Sequence, residues 1–224
     1  MIRQLPNFLT CCNLICGCFG IVFLLEDRGV PAAYFVSAAG VFDFFDGFVA
    51  RLVKSNSLIG KELDSLADVV SFGVLPALVI YKLIGAHSTS EVFPFIGFSI
   101  AAFAALRLAV FNIDETQTDS FRGLNTPATS LFITSLPLLP ESVGQWLFQE
   151  WVLIFLTLAL SLLMVSRIEI FALKFKNFSW AENKIRFTFL ILSVLLLLIF
   201  KATAIPLIIL LYVALSLMAK AFSK

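Results

Sequence analysis

PAAYFVSAAGVFDFFDGFVARLV (residues 31–53) and LIGKELDSLADVVSFGVLPALVIYK (residues 58–82) are two mostly apolar stretches. Each is long enough to cross a lipid bilayer as a helix, which needs about 20 residues. Backbone groups in hydrocarbon must be satisfied within the segment, and neither stretch alternates in polarity as the strands of a membrane β-barrel do. The two stretches therefore predict neighbouring helices of an all-α membrane protein.

The composition of the whole chain agrees with this prediction. Of its 224 residues, 60% are hydrophobic and 14% are charged, and the mean hydropathy is +0.98. Soluble domains have about 25% charged residues, so an ordinary soluble domain and a disordered chain are both excluded. A net charge of +1 also argues against a nucleic-acid partner, which would need a basic surface.

Apolar runs between the charges predict one membrane-embedded domain over residues 1–224, folded as a polytopic helical bundle. The eight predicted spans are 8–25, 31–53, 58–82, 92–113, 126–143, 148–166, 185–200 and 203–221. With eight spans both termini share one side, which receives 13 of the 16 Lys and Arg residues. Because cytoplasmic loops carry the excess of basic residues, we expect both termini in the cytoplasm.

A basic stretch between the sixth and seventh spans is expected to bind the head groups of anionic membrane lipids. It consists of Lys174, Lys176, Lys184 and Arg186.

Four aspartates, Asp43, Asp46, Asp64 and Asp68, lie within the second and third predicted spans. In each helix the two acids are about 60° or less apart around the axis, so they share a face. Carboxylates that converge in a medium of low dielectric repel one another unless they are protonated or bind cations. Hard cations such as Mg²⁺ or Mn²⁺ prefer such ligands and also bind substrate phosphates. The pattern predicts phosphate chemistry at the cytoplasmic surface of the membrane.

Ion pairing and ion transport are alternatives to metal binding by the buried acids. The acids could pair with the basic residues Arg51, Lys54 and Lys61. They could also form the ion pathway of a cation-coupled transporter, although transporters usually contain internal repeats and this sequence has no clear one.

The acidic pattern also fits a known motif. Residues 43–68 match D-x-x-D-G-x-x-A-R-x8-G-x3-D-x3-D at every fixed position, and the chain therefore resembles the CDP-alcohol phosphatidyltransferases. DSLADVVSFGVLPA (64–77) is similar to the serine-using members of that family, and so is PNFLT (6–10) with Asn13 and Gly17. ALRLAVFN (105–112) and FRGLNTP (121–127) are similar with departures: Val110 replaces an expected Arg, and Asn125 an expected Pro.

Members of this family transfer a phosphatidyl group from CDP-diacylglycerol to an alcohol and release CMP. The resemblance implies L-serine as the acceptor and phosphatidylserine as the product, with glycerol 3-phosphate as the alternative acceptor. It implies that the four aspartates hold two divalent cations, Mg²⁺ or Mn²⁺, and that Asp68 takes the proton of the acceptor hydroxyl. It also implies a homodimer in a bacterial or archaeal cytoplasmic membrane, with the active site facing the cytoplasm.

The resemblance further implies contacts to the CDP-lipid, in which Gly47 and Gly60 let the nucleotide approach the backbone and Arg51 binds a phosphate. The full set is Asn7, Thr10, Gly47, Ala50, Arg51, Ser57 and Gly60. For Asn7 and Thr10, capping of the first helix is an equal alternative. The expected contacts to the acceptor or to the transferred phosphate are Arg107, Asn112, Arg122 and Asn125.

Overall fold

The computed structural model describes residues 4–54, 57–113, 120–171 and 179–222. Within them the chain forms ten α-helices, short 3-10 and π-helical segments, and one two-stranded antiparallel sheet. The helices are α1 (Leu5–Leu25), α2 (Ala32–Leu52), α3 (Leu58–Asp68), α4 (Leu75–His87), α5 (Ser99–Ile113), α6 (Thr126–Ser135), α7 (Glu141–Leu147), α8 (Glu150–Val165), α9 (Trp180–Phe200) and α10 (Ile205–Phe222). The strands are β1 (Ser120–Arg122) and β2 (Glu169–Phe171). Lys174 and Lys176 of the predicted lipid-binding stretch lie outside the described residues.

Most of the helical structure has the length and composition of membrane spans. The stretches that qualify by themselves are 5–25, 32–52, 58–87, 93–113 and 183–218. The pair α7 and α8, bent by 79°, adds a sixth if it forms one broken span. Large apolar side chains such as Phe44, Phe155 and Leu198 are exposed on the outside of the bundle, as expected for a surface in contact with lipid. The prediction of an all-α membrane protein is confirmed, whereas eight spans and cytoplasmic termini stay predictions.

The stretch 183–218 folds back on itself. Lys201 has a φ of 52° and starts a 3-10 turn between α9 and α10. The ring centroids of Phe189 and Tyr212 lie 5.4 Å apart, whereas a straight helix would separate these positions by roughly 35 Å. The two helices therefore form an antiparallel hairpin, in keeping with the separate predictions for 185–200 and 203–221.

The predicted fifth span, 126–143, is wrong as a single helix. α6 ends at Ser135, and α7 begins only at Glu141. Pro137 and Pro140 explain the break, because proline has no N–H to donate and its ring clashes with the carbonyl four residues earlier. α6 alone is ten residues long, or about 15 Å, half the thickness of the hydrocarbon core.

The third predicted span contains a widened turn directly after Asp68. Val69–Val74 is π-helical, and the N–H of Leu75 donates to the carbonyl of Val70, five residues back. Pro76 follows in the first turn of α4. Because proline has no N–H to donate to the carbonyl four residues earlier and its ring clashes with that carbonyl, a wider turn at this point accommodates it. Such π-helical turns are frequent at functional sites.

The packing brings three helices together at one end of the bundle. Phe72, Leu75 and Ile80 of the π-helical turn and α4 are fully buried and form the middle of the core. α1 packs along both α2 and α3. The first turns of α1 and α3 therefore lie beside the last turns of α2, which carry the predicted site residues.

Candidate active site

Three of the predicted metal ligands converge between α2 and α3. Carboxylate oxygens of Asp43, Asp64 and Asp68 all lie within 4.8 Å of one another. Asp43 comes from the second half of α2, whereas Asp64 and Asp68 are one helical turn apart on α3. This acidic cluster is held by two packed helices, so its members keep their positions without depending on a loop.

Asp46 lies beside the acidic cluster, one turn further along α2 than Asp43. Its side chain is buried, and its Oδ2 accepts a hydrogen bond of 2.6 Å from the hydroxyl of Thr10. The same hydroxyl lies 3.1 Å from the Pro6 carbonyl. Thr10 therefore holds Asp46 from α1, whereas Gln4 is the N-cap residue of that helix and makes no side-chain cap. The alternative that Asn7 and Thr10 cap α1 is wrong.

Asp68 also has a partner on α1. Asn13 Nδ2 donates to Asp68 Oδ1 over 3.0 Å, and both residues are buried. The backbone carbonyl of Asn13 accepts a bond of 2.9 Å from Ser71 Oγ in the π-helical turn. Asn13 is missing from the predicted site residues, although its position after PNFLT was part of the resemblance.

The acidic cluster fits a bound cation. In the part of the chain that the structure describes, none of its carboxylates forms an ion pair with Arg51, Lys54 or Lys61. The Oδ1 atom of Asp64 is buried and lacks a hydrogen-bond partner among the described residues. Three close carboxylates with an unpaired buried oxygen are the ligands that Mg²⁺ and Mn²⁺ prefer.

A cavity of about 360 Å³, here called the first cavity, opens beside Asp46 and Asp64. Six of the seven residues predicted to contact the CDP-lipid line it: Asn7, Thr10, Gly47, Ala50, Ser57 and Gly60. A Cβ at Gly60 would lie 2.9 Å from Ser57 Oγ and 3.1 Å from Asn7 Oδ1, so a larger residue would displace these two side chains. The hydroxyl of Ser57 also caps α3 by accepting from the Gly60 N–H over 2.9 Å.

Arg51 is the exception, because its side chain is exposed and does not line the first cavity. Lys61 lines the cavity instead. The sequence had indicated Lys61 only as a partner for the acids. Its position directly after Gly60 of the motif was the available signal.

A second cavity, of about 310 Å³, has three arginines in its wall: Arg107 of α5, Arg122 of β1 and Arg167, which precedes β2. Pairing of β1 with β2 sets Arg122 opposite Glu169 and so brings Arg122 near Arg167. Arg107 is close enough to Asp68 to interact with it electrostatically, which connects the second cavity to the acidic cluster. Arg167 was missed as a site residue because, at the end of an apolar run, it resembles an ordinary interfacial arginine.

Neither of the two predicted asparagines lines the second cavity. Asn125 is the N-cap of α6, where its side chain accepts from the Ala128 N–H over 2.8 Å. Asn112 donates from Nδ2 to Ser65 Oγ over 2.8 Å, which ties the end of α5 to α3. Both side chains have structural partners in this arrangement.

Comparisons with known proteins relate this chain to enzymes that act on CDP-activated lipids. The family model for CDP-alcohol phosphatidyltransferases matches residues 3–163. Relatives named CDP-diacylglycerol–serine O-phosphatidyltransferase occur in Helicobacter pylori, at 33% identity over 84% of this chain and 78% of the relative, and in Bacillus subtilis, at 33% over 75% and 89%. A relative of the same name in Mycobacterium tuberculosis is 35% identical over 75% of this chain and 60% of its own length.

Proposed function

The chain belongs to the CDP-alcohol phosphatidyltransferase family, and from this premise we propose that it transfers the phosphatidyl group of CDP-diacylglycerol to the hydroxyl of L-serine. The products are phosphatidylserine and CMP. The names of the relatives support serine as the acceptor. Family membership also leaves the transporter hypothesis without support.

One observation carries this proposal: the acidic cluster borders the first cavity and interacts electrostatically with an arginine in the wall of the second. Asp64 belongs to both the acidic cluster and the wall of the first cavity. Asp68 belongs to the acidic cluster and interacts with Arg107 in the wall of the second cavity. A transferase needs a donor site and an acceptor site that meet at the reacting phosphorus, and acids that interact with the walls of two cavities support such an arrangement.

In the first cavity we assign the CDP moiety to the residues that line it, with the cytidine between Asn7 and Ser57 and the pyrophosphate towards Asp46 and Asp64. Gly47 and Gly60 leave room for the nucleotide against α2 and α3. The apolar outer surface of the helices lets the diacylglycerol stay in the lipid bilayer while the head group enters. Arg51, exposed beside this cavity, remains a candidate for the phosphate only from the resemblance.

Asp43, Asp46, Asp64 and Asp68 would hold two divalent cations, Mg²⁺ or Mn²⁺. When bound, such ions neutralise the negative charge of the pyrophosphate and of the departing CMP. Thr10 holds Asp46 and Asn13 holds Asp68 from α1, and these bonds restrain the orientation of two of the four proposed ligands.

In the second cavity we assign the carboxylate of serine to Arg107, Arg122 and Arg167, since guanidinium groups bind carboxylates through paired hydrogen bonds. The serine hydroxyl then faces Asp68. The oxygen of the serine hydroxyl forms a bond to the phosphorus that carries the diacylglycerol, and the bond from that phosphorus to the CMP oxygen breaks. The proton of the serine hydroxyl passes to Asp68. Asp68 thus acts as the general base.

The same three arginines favour a second candidate function, transfer to glycerol 3-phosphate. A phosphate group suits a cluster of guanidinium groups at least as well as a carboxylate does. The residues of the first cavity would serve both functions, so only the acceptor separates them.

A panel of acceptors tests the proposal. The protein, purified in detergent, receives CDP-diacylglycerol with Mn²⁺ or Mg²⁺ and either L-serine, glycerol 3-phosphate or inositol, and CMP release is measured. We expect serine-dependent CMP release with an equal amount of phosphatidylserine. Turnover with serine no greater than with the other two acceptors would overturn the serine assignment.

We also propose a homodimer in a cytoplasmic membrane with both cavities open to the cytoplasm. The support is the resemblance to the family and the excess of basic residues on the side of the cavities. A mass measurement corrected for bound detergent tests the dimer, and a monomeric mass would contradict it. Labelling of Lys54→Cys from either side of sealed vesicles, with the native cysteines replaced by serine, tests the orientation.

A further inference from the structure

Lys61 is the one basic residue among the described residues that line the first cavity, whose wall also contains Asp46 and Asp64. Its side chain is exposed at the rim of that cavity. Lys61 and Asp64 are three residues apart on α3, so their side chains share one face of the helix. A ligand with a pyrophosphate group would therefore enter beside two acids and a single ammonium group.

The ammonium group of Lys61 has a neutral partner in this structure. Lys61 Nζ donates to the backbone carbonyl of Asn112, close to the C-terminal end of α5. Within the described part of the chain Lys61 forms no ion pair with a carboxylate. A carbonyl partner leaves the full positive charge available to an anion, whereas a carboxylate partner would neutralise it.

The contact between α3 and α5 does not depend on Lys61. Asn112 Nδ2 donates to Ser65 Oγ over 2.8 Å, one turn further along α3. Lys61 can thus leave the carbonyl of Asn112 while its neighbour keeps the two helices joined. A lysine side chain has a flexible four-carbon stem, which lets its ammonium group change partners without movement of the helix.

We propose that Lys61 binds a phosphate oxygen of the CDP-lipid and that it exchanges the carbonyl of Asn112 for that oxygen when the nucleotide enters. This inference rests on the proposed function for the identity of the ligand, a nucleoside diphosphate diester. It assigns the phosphate-binding cation to the cavity wall rather than to Arg51, which lies outside it.

Two variants with the same loss of charge separate this role from general electrostatic attraction. Lys61→Gln removes the ammonium group from the cavity wall. Lys54→Gln removes one from an exposed residue near the end of α2 that does not line the cavity. Lys61→Arg keeps the charge and serves as the conservative variant.

The measurement is binding of CDP and of cytidine to the purified protein by isothermal titration calorimetry, with Mn²⁺ present. For Lys61→Gln we expect an affinity for CDP about tenfold lower, which is about 1.4 kcal/mol. The affinity for cytidine, which has no phosphate, should be unchanged. Lys54→Gln should change neither affinity by more than about twofold, and Lys61→Arg should keep most of the affinity for CDP.

A parallel measurement of KM for CDP-diacylglycerol links the result to turnover, with the same tenfold rise for Lys61→Gln. The proposal is overturned if CDP binds Lys61→Gln as tightly as it binds the unchanged protein. It is also overturned if the affinity for CDP falls in Arg51→Gln but not in Lys61→Gln. It is also overturned if cytidine and CDP weaken equally, since this would indicate a distorted cavity. Binding of CDP does not require an acceptor, so failure of the serine assignment would leave this result intact.

Discussion

Asn13 on α1 donates from Nδ2 to Asp68 Oδ1 over 3.0 Å, although 55 residues separate them in the chain. One oxygen of the proposed base is thereby fixed, and the other stays available for a cation or for the acceptor. The Oδ1 atom of Asn13 itself is buried and has no hydrogen-bond partner among the described residues. A buried amide that is only half satisfied costs free energy, so Asn13 at this position points to a function at Asp68 rather than to stability.

Replacement of Asn13 tests this function. In Asn13→Leu the carboxylate of Asp68 loses its fixed orientation, and we expect kcat to fall by about 10- to 100-fold, as for other residues that orient a metal ligand. KM for serine should change little, since Asn13 lines neither cavity. Cys16→Ala, three residues along the same helix, is the control and should keep its kcat. Equal loss in both variants would indicate that the packing of α1 alone is responsible.

Asp68→Asn tests the proposed base, which is also one of the four proposed metal ligands. The amide keeps the size of the side chain but cannot take a proton, so kcat should fall by about 10²- to 10⁴-fold. Asp64→Asn is the companion variant. In it we expect a rise in the concentration of Mn²⁺ needed for half-maximal activity, in addition to a lower kcat. Near-normal turnover of Asp68→Asn at saturating Mn²⁺ would assign the base to another residue.

The predicted residues that the structure brings together are those joined by short spacings within helices. The motif at 43–68 predicted that Asp43, Asp64 and Asp68 share faces of adjacent helices, and the structure brings them together. The small residues Gly47 and Gly60 line the first cavity for the same reason. Helical periodicity placed these residues on shared faces, whereas their roles as metal ligands and nucleotide contacts came from the resemblance and stay predictions.

What the sequence did not predict depends on contacts between distant segments. Arg167 reaches the second cavity only because β2 pairs with β1, and three-residue strands have no readable pattern. Asn112 was expected at the acceptor, yet the proximity of α3 and α5 gives it Ser65 as a partner. The turn at Val69–Val74 was missed because its only local sign was Pro76.

Replacement by alanine should lower the stability of the protein at one glycine and only its affinity for the donor at another. A Cβ at Gly17 would lie 2.4 Å from Ser71 Oγ and 2.8 Å from Ser71 Cα, so Gly17→Ala must separate α1 from the π-helical turn. We expect a loss of about 1–3 kcal/mol in stability, as for other overpacked sites. A Cβ at Gly47 meets nothing within 4 Å, so Gly47→Ala should keep its thermal midpoint but raise KM for CDP-diacylglycerol. A lower midpoint for Gly47→Ala would contradict the open wall.

Removal of metal should lower stability as well as activity. With Asp43, Asp64 and Asp68 within 4.8 Å of one another, chelation leaves charges that repel one another, and Mn²⁺ at 100 times its Kd should restore about 2.7 kcal/mol. Asp43→Asn removes one of these charges. Its metal-free form should melt at a higher temperature than the unchanged protein, and Mn²⁺ should stabilise it less. A thermal midpoint that does not respond to Mn²⁺ in either protein would argue against a metal site here.

Arg167→Gln tests the second cavity as the acceptor site. If Arg167 binds the serine carboxylate, its loss should raise KM for serine by about tenfold, which is the value of one charged hydrogen bond, while KM for CDP-diacylglycerol stays the same. Turnover of L-serine methyl ester, which lacks the carboxylate charge, should be equal in the variant and the unchanged protein. Lys184→Gln removes an exposed charge that does not line the cavity and should leave both KM values unaltered. If KM for CDP-diacylglycerol rises instead, the guanidinium group of Arg167 binds the donor, and these arginines would be reassigned to the lipid phosphate.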